Sequence, residues 1–182
     1  MKKAKKLIAI LFAFVFIITC FSVLASAADT VRLNTWWLVD WGGNMDWGGS
    51  TKYQSDFNFA VGVWNSHRNV IKKVTFFTMT DLVLTDITDT RTSAAAATTY
   101  RRVPIINGAL NAGQIEFNTA KIDKVNQTMK RHTILHELGH ALGLDHNQAN
   151  DIMAPSVVSS TARTTLTAND KASANAAWKK FS

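Results

Sequence analysis

Cysteine is almost missing from this 182-residue chain: there is one, Cys20, and it falls within the first 27 residues. A chain without a second cysteine folds without a disulfide, so the bridge-stapled scaffolds of small secreted domains are excluded. Glutamate is nearly as scarce, Glu116 and Glu137 being the two. There are no blocks of like charge, no long Pro/Ser linker and no solenoid-length repeat, which argues against disordered tails, tethered domains and repeat arrays. With 47% hydrophobic and 18% charged residues, what remains is the composition of one ordinary globular domain.

The formal net charge of +7 would suit a nucleic-acid binder, but its position in the chain argues otherwise. Lys2, Lys3, Lys5 and Lys6 precede an apolar run from Leu7 to Thr19, and Ala25-Ser26-Ala27 closes the segment with small residues. This is the pattern of a secretory signal peptide, residues 1–27, cleaved after Ala27. Phe21, Val23 and Leu24 lengthen the run toward an uncleaved anchor, and Cys20 offers a lipidation site. The Ala-x-Ala ending favours cleavage over the first, and the bulk of Thr19 disfavours the second. Removing four lysines and no acid takes the charge from +7 to +3 and leaves residues 28–182 as a single domain without cysteine. The expectation is a secreted, extracellular monomer, exported in the Gram-positive bacterial style, with neither a nucleic-acid partner nor a stable membrane association after cleavage.

Along that domain, Val31–Val39 reads as a strand containing Trp36 and Trp37. Asp40-Trp41-Gly42-Gly43 and Asp46-Trp47-Gly48-Gly49 repeat one tetrapeptide. The pair reads as a Gly-rich surface loop pinned by two partly buried indoles, or as a tryptophan platform for a sugar or peptide. Tyr53, Phe57, Ala60, Val61 and Trp64 recur at helical spacing, predicting a helix over 53–67 capped by Ser50 or Thr51. Val70–Met79 and Leu82–Ile87 are β-branched and apolar enough for two strands. Thr88–Thr99 has no period and reads as a loop, whereas Gln114-Ile115-Glu116-Phe117-Asn118 alternates as a half-buried strand does.

The chemistry is concentrated in Thr133–His146, which contains His136-Glu137-Leu138-Gly139-His140 followed by Gly143 and His146. Residues four apart share one helix face, so His136 and His140 can offer imidazole nitrogens to one metal. Glu137 is turned aside and can reach a metal-bound water without binding the metal itself. Gly143 tolerates a left-handed backbone, ending the helix and letting His146 return as a third ligand. Three neutral nitrogens with one open position describe a catalytic zinc better than a structural one. His132 could extend the stripe, but three successive turns of a straight helix spread their side chains over roughly 12 Å at about 1.5 Å per residue. His67 reads as a surface or core histidine.

These residues resemble the metzincin clan of zinc endopeptidases, with Met153 in Asp151-Ile152-Met153-Ala154-Pro155 standing where the clan has its Met-turn. Within the clan the chain is most similar to the matrixins: Leu166-Thr167-Ala168-Asn169-Asp170 before an Ala-rich helix matches their final helix, and Tyr53–Asn65 their first. The resemblance implies an α+β (α/β) zincin-like fold, a twisted mixed sheet packed on a first helix and a zinc-binding active-site helix, with a C-terminal helix. It implies a zinc-dependent endopeptidase acting on protein or peptide substrates, with Glu137 as general base and Met153 as an apolar floor beneath the histidines. Pro155 occupies the position of the extra tyrosine ligand of the astacin-like and serralysin-like branches, which disfavours them. Only His67 and His132 remain for a second zinc, so none is expected. Calcium is common in the family, and Asp81, Asp86 and Asp89 are the candidates for a Ca2+ site. By the same resemblance Gln114, Ile115, Glu116, Phe117 and Asn118 would be the sheet edge to which an extended substrate adds as another strand. Ser156, Val157 and Val158 form either a wall of the side-chain pocket or a plain connecting loop. Two other functions stay open: a catalytically silent zinc module that binds peptides, and a carbohydrate-binding secreted protein built on its six tryptophans.

Overall fold

In the computed structural model, which describes residues 31–74, 80–105, 108–147 and 150–181 and of 100–105, 108–111 and 181 the backbone alone, five strands form one sheet. They are β1 (Met45–Gly49), β2 (Ile71–Lys73), β3 (Leu82–Ile87), β4 (Ala96–Ile105) and β5 (Gly108–Asn118), in the order β2-β1-β3-β5-β4. Residues 1–27, expected to be a signal peptide, and 75–79 of the strand predicted over Val70–Met79, lie outside the described residues. β1 runs parallel to β2 and β3, and β3 parallel to β5. β4 pairs antiparallel with β5. Parallel neighbours need a crossover, and between β1 and β2 it is the helix α1 (Gln54–His67). The sheet is therefore mixed, as the resemblance implies.

Alternation along the strands decides which face carries the core. Met45 and Trp47 of β1, Leu82 and Leu84 of β3, and Ile115 and Phe117 of β5 are buried. Gln114 and Glu116 point to the other face, where the Gln114 amide donates to Glu116 at 2.8 Å. Against the apolar face lie α1 and the longer helix α3 (Gln127–Ala141), which follows the short helix α2 (Thr119–Ile122). Phe57 of α1 meets Trp47 edge-on with ring centroids 4.8 Å apart. Trp64 packs its ring close to Gly139 and donates its indole N–H to the Leu135 carbonyl at 3.0 Å. A fourth helix, α4 (Ala168–Phe181), closes the described chain.

Three expectations change. Val31–Val39 is not a strand: it runs past the end of α3, forming one isolated bridge, Leu33 to Leu144, and donating from Asn34 and Leu38 to the Gly143 and Ala141 carbonyls. The first strand is the second Asp-Trp-Gly-Gly segment instead, because it has parallel partners on both sides. The loop read over Thr88–Thr99 ends at Ala95, since Ala96–Thr99 opens β4 by pairing with Gln114–Phe117. The predicted first helix begins one residue late, with Tyr53 at the cap position, while Thr51 accepts from the Tyr53 amide at 3.1 Å and donates to Asp86.

Candidate metal centre and active site

Helix α3 starts where Asn126 accepts the Met129 amide at 2.9 Å, satisfying one of the orphan donors of the first turn. It ends at Gly143, whose φ of +87° is open to glycine and strained for other residues. The Gly143 amide bonds back to the His140 carbonyl (2.9 Å) and the Leu144 amide to the Gly139 carbonyl (3.0 Å), the two-bond pattern of a Schellman stop. Inside the helix, Ile134, Leu135, Leu138 and Ala141 are buried in the core. Met153 lies fully buried beneath the helix, its sulfur against Gly139 so closely that a side chain there would displace it.

His136, His140 and His146 come together, each offering a ring nitrogen within 4.8 Å of the others. The turn after Gly143 does two jobs. It brings His146 back, with ring centroids 5.2 Å from His136 and 4.9 Å from His140. It also aims the Leu144 carbonyl at His140 Nδ1, 2.8 Å away, where the side-chain amide of Asn34 shares it. His136 Nδ1 has the equivalent partner in the Ile152 carbonyl at 2.8 Å. A carbonyl only accepts, so both Nδ1 atoms carry the proton and both Nε2 atoms present lone pairs. Those Nε2 atoms lie 3.1 Å apart. Two facing acceptors repel unless a cation sits between them. Two nitrogens on a tetrahedral zinc, at Zn–N of about 2.0–2.1 Å, would stand about 3.3 Å apart. The donor set fits a zinc ion.

Burial dominates the electrostatics. It pushes the His136 ring down to about 3, with the neighbouring His140 acting in the same direction, so that the imidazole is neutral at physiological pH as a ligand must be. Burial also lowers His146. Glu137, 7% exposed, has its carboxyl raised by burial, against the Thr98 hydroxyl and His140, which pull it down. Thr98 donates to Glu137 Oε2 at 2.6 Å, and the Thr98 hydroxyl also lies 3.0 Å from the backbone carbonyl oxygen of Glu137.

A second layer fixes the carbonyl that fixes His136. The pattern Thr167-x-x-Asp170 is a reciprocal capping box at the start of α4: the Thr167 amide donates to Asp170 at 2.8 Å and the Asp170 amide to the Thr167 hydroxyl at 3.2 Å. Fully buried, Asp170 also accepts from the Ile152 and Met153 amides (3.1 and 3.4 Å), while Asp151 accepts from Thr167 and Asn169. The Met-turn thus hangs from the last helix.

Other expected residues lie elsewhere. His132 is buried one turn before His136, its Nδ1 accepting from the Arg163 amide at 3.0 Å, and it stands outside the three-histidine cluster. His67 contacts Asn175 at 3.2 Å. Gln114–Asn118 is not an edge: β5 is paired with β3 on one side and β4 on the other, so its backbone is consumed. The edge beside α3 is β4. Asp81, Asp86 and Asp89 do not converge, because Asp86 accepts from Thr51 and Lys52, and Asp89 pairs with Arg91 at 3.1 Å. Asp81 instead gathers with Asp40 and Asp46, their carboxylate oxygens within 4.8 Å. Val158 is exposed in a turn closed by Thr161. Reading the sequence missed Thr98, Asp170 and Asn34; only Asp170 carried a signal, the Thr-x-x-Asp spacing ahead of an Ala-rich run.

No curated protein matches the chain. The family model of the matrixins, a metallopeptidase family, matches residues 45–179, from the first residue of β1 to near the end of α4. That span holds the three histidines, Glu137, Met153 and the capping box. The chain belongs to the matrixin family of zinc metalloproteases.

Proposed function

We propose that this protein is an exported endopeptidase in which His136, His140 and His146 hold one zinc and Glu137 is the general base for hydrolysis of internal peptide bonds. The observation that carries the reading is the pair of Nε2 lone pairs 3.1 Å apart, each imidazole locked by a carbonyl on its other nitrogen. When bound, zinc would supply Lewis acidity at its open position, acidifying a water and polarising the scissile carbonyl. The rest falls to the chain. Glu137, desolvated beside the histidines, takes the water's proton and returns it to the leaving amine. β4 has β5 as its neighbour among the described residues, leaving its outer backbone groups for an extended peptide to add as a further antiparallel strand. Thr98 of β4 touches Glu137, so a peptide on that edge passes beside the base. Main-chain pairing of this kind gives affinity with little sequence selectivity. The leader over residues 1–27 supports export, and among the described residues no helix is long and apolar enough to cross a membrane.

The test is cleavage of casein by the Ala28–Ser182 chain, with metal content measured in parallel. Activity should require one zinc per chain and disappear with a chelator. Glu137→Ala should keep the zinc and lose about 10²–10⁴-fold in rate, the worth of a positioned general base. Undiminished cleavage by a zinc-loaded Glu137→Ala protein would remove Glu137 from the mechanism.

A further inference from the structure

We infer that Thr98 is a positioning residue for Glu137: its hydroxyl holds one carboxylate oxygen, fixes the carboxylate plane, and ties the orientation of the base to the strand on which substrate would lie. The inference rests on the reading of Glu137 as the base. Three observations carry it. First, one proton is shared between two acceptors, and the 2.6 Å contact to Glu137 Oε2 is the shorter and the charge-assisted one, so the proton goes to the carboxylate. Second, the contact spans 39 positions of sequence and joins two elements, the strand β4 and the helix α3 that carries the base. Third, its neighbours cannot replace it. Ala96 shares the helix-facing side of β4 but has nothing to donate, and Thr99 faces the opposite way, toward the Gln114 carbonyl.

With Oε2 engaged, proton transfer falls to Oε1. A carboxylate free to rotate would offer either oxygen in many poses, and one restrained at Oε2 offers Oε1 in few. Because Thr98 pairs with Ile115 in the sheet, the restraint is built on a strand held by a full antiparallel ladder and not on a loop. The bond contributes to the reaction by orientation; it makes no contact with the histidine nitrogens.

The experiment uses the zinc-loaded Ala28–Ser182 protein and a fluorogenic peptide, comparing Thr98→Val, Thr98→Ser, Glu137→Gln and Glu137→Asp. Valine keeps the shape and branching of threonine at a strand position and removes the hydroxyl. Thr98→Val should lower kcat about 10–100-fold, the range seen when a residue that orients an active-site group is removed, with KM within about twofold, unchanged zinc stoichiometry and unchanged Tm. Thr98→Ser should return kcat to within about threefold of the parent. In a Glu137→Asp background, whose shorter carboxylate does not reach Thr98, the Thr98→Val step should cost much less than in the parent, since coupled groups are not additive. Parental kcat in Thr98→Val, equal losses in Thr98→Val and Thr98→Ser, or a loss that tracks zinc or Tm would each overturn the positioning role while leaving Glu137 as base. Parental activity in Glu137→Gln would overturn the general-base reading and the inference with it.

Discussion

Asp40-Trp41-Gly42-Gly43 and Asp46-Trp47-Gly48-Gly49 are the same four residues, six positions apart, in two conformations. In the first, the Gly43 amide bonds the Asp40 carbonyl and the Asp40 carboxylate accepts the Asn44 amide, so the segment closes as a turn and Trp41 is 106% exposed. In the second, β2 and β3 pair from either side, the segment is a central strand, and Trp47 is 3% exposed against Phe57. Two features survive the change. The last glycine is left-handed in both, at φ +77° and +92°, and both aspartates arrive beside Asp81. Local chemistry dictates the glycine; the neighbours decide the tryptophan. A surface platform of two indoles, or a loop pinned by two half-buried ones, is not what the repeat builds.

The comparison breaks most sharply at the indoles. Trp47→Ala should cost about 3–5 kcal/mol, as large-to-small core changes do, and lower Tm by about 6–20 °C in thermal unfolding. A loss under about 1 kcal/mol would mean that the strand copy is not what holds β1 to α1. The glycines come next. Gly49→Ala adds to the left-handed penalty of about 1–2 kcal/mol a Cβ 3.0 Å from the Leu84 carbonyl oxygen, on backbone that cannot yield. Gly43→Ala brings the same penalty but meets Trp178 at an unstrained 3.6 Å. Chemical denaturation should therefore rank Gly49→Ala below Gly43→Ala; the reverse order would refute the turn and strand assignment.

A smaller effect is expected where the two copies meet. Burial first, then the nearby Asp40 and Asp46 carboxylates, raise the Asp81 carboxyl to about 6. Its unfolded value is near about 3.9, so the folded chain holds this proton more tightly. The stability it contributes is present below about pH 4 and lost as pH rises through 6. Asp81→Asn keeps an acceptor for the Asp46 amide and removes the charge. It should flatten the fall in Tm between pH 4 and 6; a parallel, equally steep fall in the variant would assign it to other groups. Smallest of all, Trp41→Ala should leave Tm, zinc content and casein cleavage within error, since its ring is wholly in solvent.

What could be read from the sequence divides along the same line. The metal helix was legible because its requirements are local: four-residue spacing for His136 and His140, a left-handed glycine at 143, a return for His146. β3 matches Leu82–Ile87 residue for residue, being a β-branched, apolar run. β1 and the start of β4 were not legible. Met45–Gly49 looks like a turn, and Ala96–Thr99 lacks alternation; each becomes a strand because a partner distant in sequence satisfies its backbone. The same reason misplaced the edge: alternation identified Gln114–Asn118 as a strand, but periodicity carries no information on how many neighbours a strand has. Thr98 left no trace either, since its hydroxyl has meaning only once β4 lies against Glu137.

The bonds from Asp170 to the Ile152 and Met153 amides carry a consequence for timing. A polypeptide made from its N-terminus presents all three histidines before it presents Asp170. The carbonyl that holds His136 Nδ1 thus has its full set of partners only once the last helix, at the far end of the chain, has docked.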